Sequence, residues 1–136
     1  ATEYMNIYIV SNLSRVLDTF KKNNIWVYGT SGNCKNYIDN YIFNYPLAIV
    51  IGGENKGLSK NIQKKCDDLI SIKMTGNTES FNMSVAASIF LYVTSAKKSD
   101  WKLLLFFIEC TSLLYLLKTR DSNQKEKIWD IMKLCS

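Results

Sequence analysis

Over its first 96 residues the chain alternates short apolar runs with polar breaks, several of them bearing glycine, and the spacing inside each run indicates its element. Residues 3–10, EYMNIYIV, are rich in β-branched and aromatic side chains and read as an extended lead-in or short strand. Leu13, Val16, Leu17 and Phe20 fall at i, i+3, i+4 and i+7, which predicts a helix over 13–23 with Ser11 as its cap. Ile25 to Tyr28 reads as a buried strand, and Gly29-Thr30-Ser31-Gly32 turns the chain at its end. Residues 33–45 show little period, with a short helix expected over 35–42. Pro46 precedes a second buried strand, Leu47 to Ile51, whose unbroken apolar run suits a parallel sheet covered on both faces. A turn over 52–57, a helix over 59–66 and a break at Asp67-Asp68 follow. Leu69 to Met74 is the third strand and 75–81 a polar loop. Asn82 or Ser84 then caps a helix that reaches Ala96, with Val85, Ile89, Tyr92 and Val93 at helical spacing.

This alternation predicts an α/β fold with a mostly parallel sheet and flanking helices. Ligands of such sheets sit beyond the carboxyl ends of the strands, where the turns 29–32, 52–57 and 75–82 converge. The division expected is a domain over 1–98 and an apolar tail over 99–136. Within the tail, Trp101 to Leu117 is densely apolar but interrupted by Glu109, Cys110, Thr111 and Ser112. A confident membrane span needs about 18 or more uninterrupted apolar residues. A buried or oligomer-facing helix is therefore expected there, and a membrane is not expected as a partner. Residues 118–127 read as a solvated turn or helix end, and 128–134 as a short amphipathic helix.

Composition changes this picture in two places. The net charge is +5, and residues 1–98 hold +4 of it, with 11 basic and 7 acidic side chains, so the cationic character belongs with the α/β part. That excess suits a polyanionic partner without proving one. Lys56, Lys60 and Lys64 are spaced for one helix face, which is as consistent with a solvated surface as with an RNA-facing strip. The four cysteines, 34, 66, 110 and 135, lie far apart and histidine is absent. A zinc or other metal site is thus not expected, and reduced thiols in a cytoplasmic setting are. Cys66 reads as inert and Trp26 as core.

Two segments carry more specific information. IGGENKGLS (51–59) and IKMTGNTESFNMSVAAS (72–88) resemble, in order and spacing, the second and third motifs of the SpoU/TrmH branch of the SPOUT methyltransferases. The resemblance runs over about residues 1–98 and implies transfer of a methyl group from S-adenosylmethionine to an RNA ribose 2′-hydroxyl. The N-terminal stretch, residues 1–29, resembles the branch acting on large-subunit ribosomal RNA, so a ribosomal guanosine is the implied target. The resemblance also implies a deep trefoil knot, in which residues around 72–84 thread the loop near Gly52, and a homodimer with its site near the interface.

By this resemblance Gly52 and Ile72 contact the cofactor, as does Phe81, which stands where the family usually has leucine. Gly29-Thr30 matches a further turn beside the cofactor, more weakly, and Lys73 replaces a usual proline. Glycines at 52 and 53 permit close backbone approach to an adenine edge, and Ile72, Met74 and Phe81 supply apolar walls. Glu54, Ser80, Asn82 and Ser84 match polar positions of the family's site. Glu54 and Asn82 are implied to brace the loops and the ribose, and Ser80 to support catalysis.

One family element has no counterpart. The first motif carries an asparagine and an arginine thought to activate the ribose hydroxyl, whereas this chain has only Arg15 and Arg120, neither in such a motif. The resemblance therefore implies a catalytic domain entered partway through, with its N-terminal strands missing. Two alternatives stand beside the ribosomal enzyme. One is a catalytically inactive cofactor-binding or dimerisation remnant, and the other is a tRNA ribose methyltransferase.

Overall fold

The computed structural model describes residues 5–9, 12–32, 34–44, 46–52, 57–73, 83–96, 104–108 and 113–117. Strands β1 (Met5–Ile9), β2 (Trp26–Thr30), β3 (Leu47–Ile51), β4 (Asp68–Ile70), β5 (Leu104–Ile108) and β6 (Leu113–Leu117) form one sheet in the order β1-β6-β5-β3-β2-β4. The pairs β5·β3, β3·β2 and β2·β4 are parallel, and β6 runs against both its neighbours. Helices α1 (Leu13–Lys22), α2 (Lys60–Lys65) and α3 (Met83–Ala96) flank it.

The side-chain alternation of β3 explains why all five of its residues are buried. Ala48 and Val50 face one side, with Val27 of β2, and meet Val16, Leu17 and Phe20 of α1 and Ile62 of α2. Leu47, Ile49 and Ile51 face the other, with Tyr28 and Ile70, and meet Phe90 of α3 and Ile38 and Phe43 of the 34–44 segment. The predicted apolar stripe of α1 is thus the stripe that packs. Its cap is Asn12, not Ser11, which lies outside the described residues: the Asn12 Oδ1 accepts from the Arg15 N–H at 3.2 Å.

Four expectations need correction. At 104–108 and 113–117 the tail forms two strands, not the expected helix. Apolar runs this short carry no period that separates strand from buried helix, and β5 gains a complete parallel ladder along β3. Residues 35–42 also form no helix; Tyr37 bridges Ser71 instead, and a turn follows at 38–40. Asp68 opens β4 rather than breaking the chain, and regular pairing ends at Ile70, with Ser71 in the bridge to Tyr37. Trp26 is 42% exposed rather than core, because it stands first in β2, at the amino edge of the sheet.

Candidate functional site

Three parallel neighbours, β3, β2 and β4, end together at their carboxyl edge, which brings Gly52, Thr30 and the Ile70–Ile72 stretch to adjacent positions. Thr30 stands opposite Ile70, and the Ser31 N–H donates to the Ile70 carbonyl at 3.0 Å. Ile72 is half-buried and packs against the α3-side core. Three of the residues singled out from the sequence are thereby gathered on one edge. Gly53, Glu54, Met74, Ser80, Phe81 and Asn82 lie outside the described residues, as does most of the segment expected to thread a knot.

Gly52 is buried, and what it touches is backbone. A Cβ there would stand 2.7 Å from the Gly57 Cα and closer still to the Gly57 carbonyl carbon and the Leu58 nitrogen. Only the missing side chain lets the chain fold back on itself after β3. Gly57 makes the return possible with φ +63°, a left-handed conformation that a side chain disfavours. The next residue, Leu58, is buried and enters the core shared by α1 and α2. A Cβ on Gly29 would lie 2.7 Å from Leu58 Cδ1, 2.8 Å from Cys66 Sγ and 2.9 Å from Leu69 Cδ2. Gly29 therefore acts within β2 as a packing gap for Leu58, not as part of a turn.

The start of α2 secures this return. The Ser59 Oγ accepts from the Ile62 N–H at 3.4 Å, and the Gln63 Nε2 donates to the Leu58 carbonyl at 2.8 Å. Cys66 follows the helix, half-buried, with its thiol directed at the Ile62 carbonyl at 3.3 Å.

A second support lies beneath Ile72, and no local pattern in the sequence signals it. The Asp68 carboxylate accepts from Asn36 Nδ2 at 2.8 Å through one oxygen and from the Tyr41 hydroxyl at 2.7 Å through the other. Backbone bonds extend the attachment: the Ser71 N–H donates to the Asn36 carbonyl at 2.8 Å, and the Ile38 N–H to the Ser71 carbonyl at 2.9 Å. Tyr41 and Phe43 pack edge-on against the Tyr28 ring, at centroid separations of 5.5 and 5.1 Å. The Tyr28 hydroxyl accepts from the Asn44 N–H at 2.9 Å. Burial raises the pKa of both phenols. For Tyr41 the hydrogen bond to the Asp68 carboxylate raises it further, and for Tyr28 the bonds from Asn44 oppose the rise. Contacts 27 and 32 residues apart leave no periodic signal, which is why Asp68 reads as a break in the sequence.

Among the described residues no group of three or more His, Cys, Asp or Glu side chains could hold a metal ion, and no buried side-chain polar atom lacks a hydrogen-bond partner. Among them, too, no helix is long and apolar enough to cross a membrane.

Comparison with known proteins follows the same part of the chain. Residues 1–92 match the SpoU rRNA Methylase family. A Bacillus subtilis protein named as a TrmH family tRNA/rRNA methyltransferase is 39% identical over 99 residues, covering 73% of this chain and 40% of its own length. The A. aeolicus TrmH/SpoU tRNA modifying enzyme superposes with a TM-score of 0.61 at 28% identity, over 66% of this chain and 46% of that one. The SpoU methyltransferase AviRb from Streptomyces viridochromogenes, solved with AdoMet, gives 0.58 at 27% identity over 63% and 36%. The chain thus spans about 40% of the length of the curated relatives it matches.

Proposed function

This chain belongs to the SpoU rRNA Methylase family, and on that premise we propose that it binds S-adenosylmethionine at the carboxyl edge of β3, β2 and β4 and methylates an RNA ribose 2′-hydroxyl. The observation that carries the reading is the gathering of Thr30, Gly52 and Ile72 on that edge. The edge fits an adenosine. Gly52, packed against the Gly57–Leu58 backbone, holds the turn after β3 tight at that edge, Thr30 stands half-buried beside it, and Ile72 offers a half-buried aliphatic wall. When bound, the sulfonium supplies an electrophilic methyl group, so the protein's task is to align the ribose oxygen and take or share its proton. We assign further cofactor contacts to Gly53, Met74 and Phe81, bracing of the loops and the ribose to Glu54 and Asn82, and support of catalysis to Ser80.

The target we propose is a guanosine of large-subunit ribosomal RNA, supported by the character of residues 1–29; a transfer RNA is the alternative. The names of the relatives support RNA in general. The assembly proposed is a homodimer. It is supported by α3, whose described residues 83–96 carry no charged side chain and leave Tyr92 74% and Val85 42% exposed. The compartment proposed is the cytoplasm, supported by Cys34 and Cys66, which form no disulfide. A second reading, a unit that binds cofactor or dimerises without turnover, is favoured by the two arginines, neither in a motif like the family's catalytic one.

Calorimetry of S-adenosylmethionine binding, with Gly52→Trp as the control, tests the site. Saturable binding lost in the control is expected; no binding to a folded chain overturns the reading. Transfer of labelled methyl to a ribosomal RNA fragment separates the enzyme from the silent binding unit.

A further inference from the structure

The molecule's net charge is held by two helices. Together α1 and α2 contain six of the 17 Lys and Arg and one of the 12 Asp and Glu, so the remainder, eleven of each sign, is neutral. These helices lie side by side on one face of the sheet. Val16, Leu17 and Phe20 of α1 and Ile62 of α2 share a core, and the Lys65 ammonium joins the two through Asp18 Oδ1 and Oδ2 at 2.7 and 2.8 Å. Each leads into a strand of the same direction, β2 or β4, so the helices run parallel to each other.

Two acids on this face are each engaged by a lysine: Asp18 by Lys65, and Asp67 by Lys21 at 3.9 Å. Arg15, Lys22, Lys60 and Lys64 are exposed, and among the described residues no acid pairs with them. Arg15 to Lys22 spans about 10 Å along α1, Lys60 to Lys64 about 6 Å along α2, and packed helices stand about 8–10 Å apart. Lys60 stands two residues after the Gly52–Leu58 contact, at the first position of α2, so this cationic surface begins at the edge assigned to the cofactor.

We infer that the outward faces of α1 and α2 bind the phosphate backbone of the RNA and lead it to the carboxyl edge of β3, β2 and β4. The inference rests on the RNA reading proposed above. Phosphate fits this surface because it offers point charges without an acceptor pattern for bases. An anionic lipid surface does not fit as well. Interfacial helices insert an exposed apolar face, whereas the apolar side of α1 is buried, and no exposed large hydrophobic residue lies on α1 or α2. Lys65 is withheld by Asp18, which makes that acid a brake on affinity.

The test is fluorescence anisotropy of a labelled single-stranded RNA of about 15 nucleotides against the full chain at several salt concentrations, beside calorimetry with S-adenosylmethionine. Each phosphate neutralised on a single strand contributes about 0.7 to the slope of log K against log salt. Lys60→Gln with Lys64→Gln should lower that slope by about 1.4 and weaken binding about 25-fold near 0.1 M salt. Asp18→Asn, which releases Lys65, should tighten binding several-fold. Lys35→Gln, in the segment packed under the opposite face, should leave it unchanged, and all variants should bind S-adenosylmethionine as the parent does. Wild-type affinity and slope in the double variant overturn the inference. So does adsorption to phosphatidylserine vesicles without RNA binding. Cofactor binding without any RNA binding removes this surface and leaves the cofactor site standing. RNA binding lost in the double variant, in a chain that binds no cofactor, keeps the surface and removes the proposed activity.

Discussion

Gly52→Ala and Gly57→Ala add the same methyl group five residues apart, and the structure predicts different consequences. At Gly52 the new carbon would stand 2.7 Å from the Gly57 Cα, against about 3.5–4.0 Å for comfortable carbon contact. The obstacle is backbone, so no side chain can rotate away. Relief requires the 57–58 peptide to withdraw by about 1 Å, and Leu58 resists because its side chain is buried in the α1–α2 core. Overpacking of this kind costs about 1–3 kcal/mol. We expect the upper half of that range, because Ser59 and Gln63 tie the same stretch to α2. At Gly57 the added carbon meets nothing within 4 Å, and the cost is the left-handed φ alone, about 1–2 kcal/mol. With a urea slope of about 2 kcal/mol/M, the two midpoints should fall by about 1–1.5 M and about 0.5–1 M respectively. The separating assay is calorimetry at low temperature, where both variants are folded. Gly52→Ala should lose at least about tenfold in S-adenosylmethionine affinity, the equivalent of about 1.4 kcal/mol, while Gly57→Ala stays within a few fold. Parental stability and affinity in Gly52→Ala would refute the close approach on which the site is built.

Other perturbations reach the supports of the site. Asp68→Asn keeps one acceptor oxygen for three donors, Asn36, Tyr41 and the Leu69 N–H, and should cost about 1.5 kcal/mol in urea unfolding, with faster amide exchange at Ile38 and Ser71. Tyr28 and Tyr41 both have raised pKa values through burial, so the fold favours the neutral phenols. Stability from this source is complete below the unfolded tyrosine value of about 10 and is lost as pH rises beyond it. The urea midpoint should therefore fall more shallowly above that pH in Tyr41→Phe, and an unchanged decline would contradict the burial argument. Removing residues 99–136 takes away the parallel partner of β3 along Leu47–Ile51, so concentration-dependent association through the uncovered edge is expected in sedimentation. An equally stable shortened chain in the parent's own association state would show that β5 is not needed there.

The parts of the fold legible in the sequence were those written in a local period. The α1 stripe of Val16, Leu17 and Phe20 and the unbroken run of β3 each fix a burial pattern by themselves, and both are buried as their spacing requires. Gly52 reads in the sequence as a residue that lets backbone approach an adenine edge; the close approach the structure shows is to its own Gly57–Leu58 peptide, which was not legible, since any turn of that length could return elsewhere. What the sequence concealed depends on distant pairing. Asp68 finds its partners in a segment with no period, and Gly29 looks like a turn residue until Leu58 is seen filling the space beside it. The apolar runs at 104–108 and 113–117 fit a helix or a strand equally well in isolation; the open side of β3 decides between them. The family match ends at residue 92, so resemblance offered no guide to those strands.

The central claim is that S-adenosylmethionine is held where β3, β2 and β4 end. Backbone amide shifts of an isotope-labelled chain, followed by NMR during titration with S-adenosylmethionine, test it most directly. Shifts at Thr30, Gly52 and Ile72 that saturate together are expected, while Trp26 and Lys22, at the amino edge, stay in place. A folded chain whose shifts are absent, or confined to the amino edge of the sheet, would contradict it.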